Sequence, residues 1–265
     1  MTCLAQRAVE ILSTPMAADK SRLTRKLADD WQEGRISEVG QADPPDRPAR
    51  SETPVLMAPS AMPNRSKAGV KGRIALLHAL AHIELNAIDL ALDIIARFTA
   101  CNLPSAFYDD WVQVALDEAE HFDLLEDLLG RLGASYGDLP AHDGLWQAAT
   151  KTSGDLMKRL ALVPMTLEAR GLDTTPASMQ SLQRHGHGEA VPALRKILED
   201  EIAHVAAGTR WFAYLCSLQG LDPASAYRER LAPYFPKGPK PPFNHEARLR
   251  AGQTPYFYDW ATSFI

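Results

Sequence analysis

Cysteine is scarce: Cys3, Cys101 and Cys216 are spread over 265 residues, too few and too scattered for a disulfide framework or a zinc site, which makes a reducing compartment the default. Positive charge is not in excess either. Lysine and arginine number 28 against 33 aspartates and glutamates, a formal net charge of −5, and no long basic stripe supplies the electrostatic footprint of a nucleic-acid binder. The short cluster Arg65, Lys67, Lys71 and Arg73 reads as solvated surface ahead of a helix. No apolar run approaches the roughly 18 residues needed to cross a bilayer, and the amino terminus lacks the charged-then-apolar pattern of a secretory signal. A cytoplasmic chain with no membrane partner is therefore expected. Alternating strand patterns are almost missing as well, which leaves helix as the material of the fold.

What is present is apolar content sufficient for a core, 46% of the chain, arranged at helical periods. Short helices are expected over 1–13 and 20–38. From 41 to 67 the prolines Pro44, Pro45, Pro48, Pro54, Pro59 and Pro63 exclude helix, and the apolar residues Val55, Leu56, Met57 and Met62 suggest a segment strapped along the body. Four long helices should follow, at about 72–100, 105–132, 144–170 and 189–219. Ser105 reads as an N-cap and Gly133 and Gly220 as stops. Pro164 falls inside the third helix, four residues before Glu168, and should kink or unwind it. A further short helix is expected at 176–185, and others at about 223–234 and 245–251. The aromatic end Pro255-Tyr-Phe-Tyr-Asp-Trp is expected to fold back onto the body. The organisation expected is 1–40 for the amino-terminal helices, 41–71 for the proline-rich segment, 72–220 for a four-helix bundle and 221–265 for a tail packed on it.

The chemistry lies in one pattern written twice. Leu-Asp-Glu-Ala-Glu-His at 116–121 and Glu-Asp-Glu-Ile-Ala-His at 199–204 each contain Glu-x-x-His. On a helix, positions i and i+3 point about 60° apart and can grip one ion. Glu118 is thereby paired with His121, and Glu201 with His204. Another glutamate precedes each pair by one helical hairpin, Glu84 and Glu168. Both lie among apolar residues, Glu84, Glu118, Glu201 and His204 fall on apolar stripes of their helices, and a buried carboxylate is costly unless it is paired or coordinates a metal. Two hairpins face to face would gather four carboxylates and two imidazoles, the ligand set of the di-iron and di-manganese carboxylate proteins. Glu84, Glu118 and His121 are assigned to one metal and Glu168, Glu201 and His204 to the other, with Glu118 and Glu201 as bridges. Imidazole plus carboxylate favours iron, manganese or a mixed pair over magnesium or calcium.

Asp117 and Asp200, each just before a ligand glutamate, are expected to orient the histidines in a crossed arrangement, Asp117 with His204 and Asp200 with His121; ordinary surface aspartates are the alternative. Trp111 and Trp211 return to the metal-facing stripes and can line a pocket, carry an electron or fill the core. His78 and His82 point away from Glu84 and read as packing or hydrogen-bonding residues. His185 and His187 read as a polar turn in preference to a metal pair.

The six residues resemble the ferritin-like di-iron superfamily. More narrowly, His78-Ala-Leu-Ala-His-Ile-Glu84-Leu-Asn-Ala-Ile-Asp89, Asp117-Glu-Ala-Glu-His121 and Pro241-Pro-Phe-Asn-His-Glu-Ala-Arg248 are similar to the ferritin-like domain-of-unknown-function family 455, over roughly 40–252. Asn86 stands where glutamine is expected in that family, and it points away from Glu84. The resemblance implies an all-α ferritin-like fold and a metal centre, with distant similarity by fold to a di-iron tRNA-modifying hydroxylase. Three functions stay open at this point. One is an oxidoreductase acting on a small organic substrate with dioxygen and an external electron donor, as a monomer or homodimer. The others are an iron-handling ferroxidase and a metal-stabilised structural module.

Overall fold

A computed structural model of the chain describes residues 2–63 and 69–260; Arg65 and Lys67 of the basic cluster lie outside them. The protein is all-α. Among the described residues the only extended pairing is an isolated parallel bridge between Leu56 and Ala141, and no helix is long and apolar enough to cross a membrane. The chain divides into two compact units, Met1–Thr150 and Lys151–Ile265.

The first unit is built on a helical hairpin of α3 (Val70–Arg97) and α4 (Ser105–Arg131), with α1 (Leu4–Leu12) packed on α3 and α2 (Ala17–Gln32) on α4. Sequence signals set the ends of the hairpin. Asn102 takes the left-handed conformation after α3, at φ 48°. Pro104, in place of Ser105, holds the N-cap position of α4. Gly133 closes α4 at φ 72°, with Ala134 N donating to Leu129 O at 3.1 Å, the six-to-one bond that ends many helices.

α3 is buried nearly all round, and its back carries a polar stripe that meets the proline-rich segment. Lys20 donates to Asp89 at 2.5 Å, with both side chains buried, and Arg50 reaches Asp89 and Asn86. Arg97 donates to Pro45 O at 2.8 Å, and Trp146 Nε1 to Asp46 O at 3.0 Å. The segment is thus tied down by polar bonds. Val55, Leu56 and Met57, expected to anchor it, are instead 60%, 45% and 45% exposed, and the segment is held there by backbone bonds between Val55, Met57 and Ala141.

The second unit opens with the end of α5 (Gly144–Lys151), followed by α6 (Leu156–Leu162), a π-helical turn Val163–Glu168, α7 (Ala169–Arg184) and α8 (Val191–Gln219). The single helix expected over 144–170 is therefore interrupted. Asp155 caps α6 by accepting from Lys158 N at 3.0 Å, which ends α5 and starts a new helix. Beyond the π turn, α7 runs through Pro176 to Arg184, so the short helix expected at 176–185 is its carboxy-terminal half. α8 ends at Gly220, φ 65°, with Leu221 N bonded to Cys216 O at 3.0 Å. α9 (Pro223–Leu231), α10 (His245–Arg250) and α11 (Pro255–Tyr258) complete the unit. α10 contacts α7 and α8, and α11 contacts α9. A small apolar core joins Ala169 and Leu172 of α7 to Ile202 and Val205 of α8 and to Ala247 and Ala251 of the tail.

Candidate metal centre

In the first unit the structure brings Glu84 of α3 together with Glu118 and His121 of α4. Glu84 is 3% exposed, and Glu118 and His121 are fully buried. His121 Nδ1 lies 3.4 Å from Glu84 Oε2 and 3.4 Å from Glu118 Oε2. The i, i+3 spacing on α4 delivers the second contact, and the pairing of α3 with α4 delivers the first.

In the second unit Glu201 and His204 of α8 repeat the pattern. Both are buried, and His204 Nδ1 stands 3.8 Å from Glu201 Oε2. Glu168 closes the π turn, partly exposed as a residue but with Oε2 buried. Each of the six residues therefore has at least one ligand atom withdrawn from solvent, and both histidines turn the same ring nitrogen toward a carboxylate.

The first triad fits a cation. Separations of 3.4 Å are longer than an ordinary N–H···O bond, yet two donors each about 2.1 Å from one metal stand about 3–3.5 Å apart. Glu84 Oε2 is buried with no hydrogen-bond partner. Burial, and then the charge of Glu118, hold the Glu84 carboxyl well above the usual carboxylate range, with His121 offsetting part of the effect. A cation among these groups would answer both the desolvation and the repulsion.

The residues around the triads have mixed parts. Asp117 accepts from Gln113 Nε2 at 2.9 Å and Asp200 from Lys196 Nζ at 2.6 Å, each along its own helix. Trp111 is 1% exposed, edge-on to Phe107, and Trp211 is 6% exposed, edge-on to Tyr214; both contribute to the core.

His78 and His82 are buried and hydrogen-bonded. His78 Nε2 accepts from Gly137 N at 3.0 Å. His82 Nε2 lies 3.1 Å from both His142 O and the Asn86 amide nitrogen, and Nδ1 lies 2.7 Å from the Tyr136 hydroxyl. Burial lowers the His82 pKa to about 4. The spacing of His78, His82, Asn86, Asp89 and Asp93 marks one helical stripe, but its partners lie far off in sequence and could not be read from it.

Sequence reasoning also missed the support of the π turn. Thr166 donates to Ala161 O at 2.7 Å and meets the Tyr227 hydroxyl at 2.7 Å, while Gln253 donates to Met165 O at 2.8 Å. Gly208 of α8 faces the turn so closely that a Cβ there would stand 2.7 Å from Pro164.

Fold and site define an all-α protein with one buried Glu-x-x-His pair in each of its two units. The chain belongs to the family described as Protein of unknown function (DUF455), whose pattern matches residues 13–259. It is 39% identical over 265 residues to an uncharacterized protein of Haemophilus influenzae, covering 96% of this chain and 92% of that protein. No solved structure matches it.

Proposed function

We propose that the two triads together hold a dinuclear iron centre, with manganese or a mixed pair as the other metals the ligands suit. On this reading α3, α4, the α6–α7 run and α8 make a ferritin-like four-helix bundle. The protein is then an oxidoreductase that hydroxylates or oxidises a small organic substrate, with dioxygen as oxidant and an external electron donor. The observation that carries the reading is the buried contact of Glu84, Glu118 and His121, in a chain whose other unit presents the same residue types in the same order and at the same helical spacing.

Four carboxylates balance two divalent cations, and the carboxylate and imidazole donors suit iron or manganese. Glu84, Glu118 and His121 would hold one ion and Glu168, Glu201 and His204 the other, with Glu118 and Glu201 bridging. When bound, such a pair supplies the electrons that reduce dioxygen. The chain's own part is to fix the ligands, as α4 and α8 do with their i, i+3 pairs, and to keep water away. Trp111 and Phe122 on α4, both buried, serve that exclusion. The crossed pairing of Asp117 with His204 and Asp200 with His121 belongs to the same reading: a carboxylate on the far ring nitrogen fixes the tautomer that leaves Nδ1 for the metal.

Anaerobic loading with ferrous iron, followed by exposure to dioxygen, tests the proposal. Two irons per chain and oxygen uptake faster than in the apoprotein are expected, both lost in Glu118→Ala and His121→Ala. Uptake no faster than in the apoprotein would overturn it, and many irons per chain in a large oligomer would shift the reading to iron handling.

A further inference from the structure

We infer that Gln253, a residue of the carboxy-terminal tail, is a positioning residue for Glu168 and sets the metal affinity of the second triad; this rests on the function proposed above. Glu168 differs from the other five ligands in its backbone. It closes a π turn instead of riding a regular helix. Such a turn holds one residue more than an α-turn, so its relaxation to α geometry would rotate the residues at its end by about 100°. The direction of the Glu168 carboxylate therefore depends on whatever holds the turn.

Pro164 brings no N–H to the turn, and the N–H groups at its end reach Pro164 O and Leu167 O. Met165 O takes two side-chain donors, Gln253 Nε2 at 2.8 Å and, at the longer distance of 3.4 Å, the Tyr227 hydroxyl. Gln253 is fully buried, and its amide is oriented from the other side by Arg248 Nη1, which donates to Oε1 at 2.6 Å. Arg248 is itself locked by a buried two-point bond to Asp173, Nε at 2.9 Å and Nη2 at 2.7 Å, and lies over the Tyr258 ring at 4.6 Å. A continuous chain of buried bonds thus runs from Asp173 through Arg248 and Gln253 to the backbone three residues before Glu168. With both ends of its amide committed, Gln253 presents its donor to the turn in one fixed orientation.

Co(II) titration of the full-length protein, followed by calorimetry and visible absorption, tests this with Gln253→Leu, which keeps the volume and removes the donor. Tyr258→Phe serves as control: it breaks the tail's His245–Tyr258 bond without touching the turn. Wild type should bind two ions. Gln253→Leu should stay folded by circular dichroism, keep one binding event, and weaken the other by about tenfold or more with a changed absorption envelope; Tyr258→Phe should match wild type. If Gln253→Leu does not fold, Thr166→Val, which removes the bond to Ala161 O at the start of the turn, should give the same selective loss. Two unchanged events in the folded Gln253→Leu protein, or in Thr166→Val where it replaces it, or equal weakening of both, would overturn the inference. A wild-type protein that binds no Co(II) would overturn the proposed centre itself.

Discussion

Glu84 and Glu118 converge on one histidine nitrogen, each with a carboxylate oxygen 3.4 Å from His121 Nδ1, in an interior that solvent does not reach. Without a cation this arrangement works against the fold, since burial and mutual repulsion both disfavour ionised carboxylates. Glu118→Gln should therefore raise the stability of the metal-free protein, by about 1–3 kcal/mol in urea unfolding, while abolishing the metal-dependent rise in Tm. A variant that loses apoprotein stability in step with metal uptake would contradict a site built for an ion.

Metal removal should act in the opposite direction on the native protein. A ligand that binds only the folded state adds stability as RT ln(1 + [L]/Kd), about 4 kcal/mol at a thousandfold excess over Kd. Chelation should lower Tm by several degrees, and Fe(II) or Mn(II) should restore it where Mg(II) does not. Differential scanning calorimetry of chelated and reloaded samples reads the effect.

His82 should make the fold sensitive to mild acid. Its folded pKa, about 4, lies below the unfolded value of about 6.5, so between those pH values the unfolded chain binds more protons. The stability it contributes is complete above pH 6.5 and is lost as pH falls toward 4, about 3 kcal/mol in all. Glutamine can keep the bonds to Tyr136 and His142 without titrating. The stability difference between wild type and His82→Gln, followed by urea unfolding from pH 7 to 4, should shift by that amount in favour of the variant.

Gly208 owes its identity to Pro164. An added methyl would stand 2.7 Å from the ring's Cβ and Cγ, and a ring fixed in a π turn has little freedom to yield. Gly208→Ala should cost about 1–3 kcal/mol, read by urea unfolding, although alanine has the higher helix propensity. A stabilised variant would show that the turn adapts.

Arg248 and Asp173 give the tail its hold on α7. Arg248→Met takes its two-point cation from the buried Asp173 carboxylate, which keeps only Arg170 at 3.4 Å and the Asn244 N–H, and should cost about 3 kcal/mol. The double variant Arg248→Met, Asp173→Asn should recover a large part of that loss in equilibrium unfolding.

Much of this was legible in the sequence because helical spacing is local. Glu118 with His121 and Glu201 with His204 could be placed on common faces from position alone, and Gly133 and Gly220 marked helix ends through the left-handed backbone they adopt. The hairpin of α3 and α4 followed from the short connection between them. Pro164 signalled an irregularity, but a missing N–H does not say which carbonyls find new partners, so the π turn could not be foreseen. The break before α6 had a local sign in Gly154-Asp155 that the apolar period outweighed.

Long-range polar contacts were beyond reach. Nothing near Asp89 announces Lys20 or Arg50, and nothing near Met165 announces Gln253. The exposed Val55, Leu56 and Met57 show the same limit from the other side, since apolar composition suggested packing where backbone pairing decided the outcome.

Crystals of the iron-loaded protein, with anomalous diffraction recorded on both sides of the iron and manganese absorption edges, bear most directly on the central claim. The account predicts two anomalous peaks per chain, one bound by Glu84, Glu118 and His121 and the other by Glu168, Glu201 and His204. Full occupancy of the crystals by protein with no anomalous peak at either triad would contradict it.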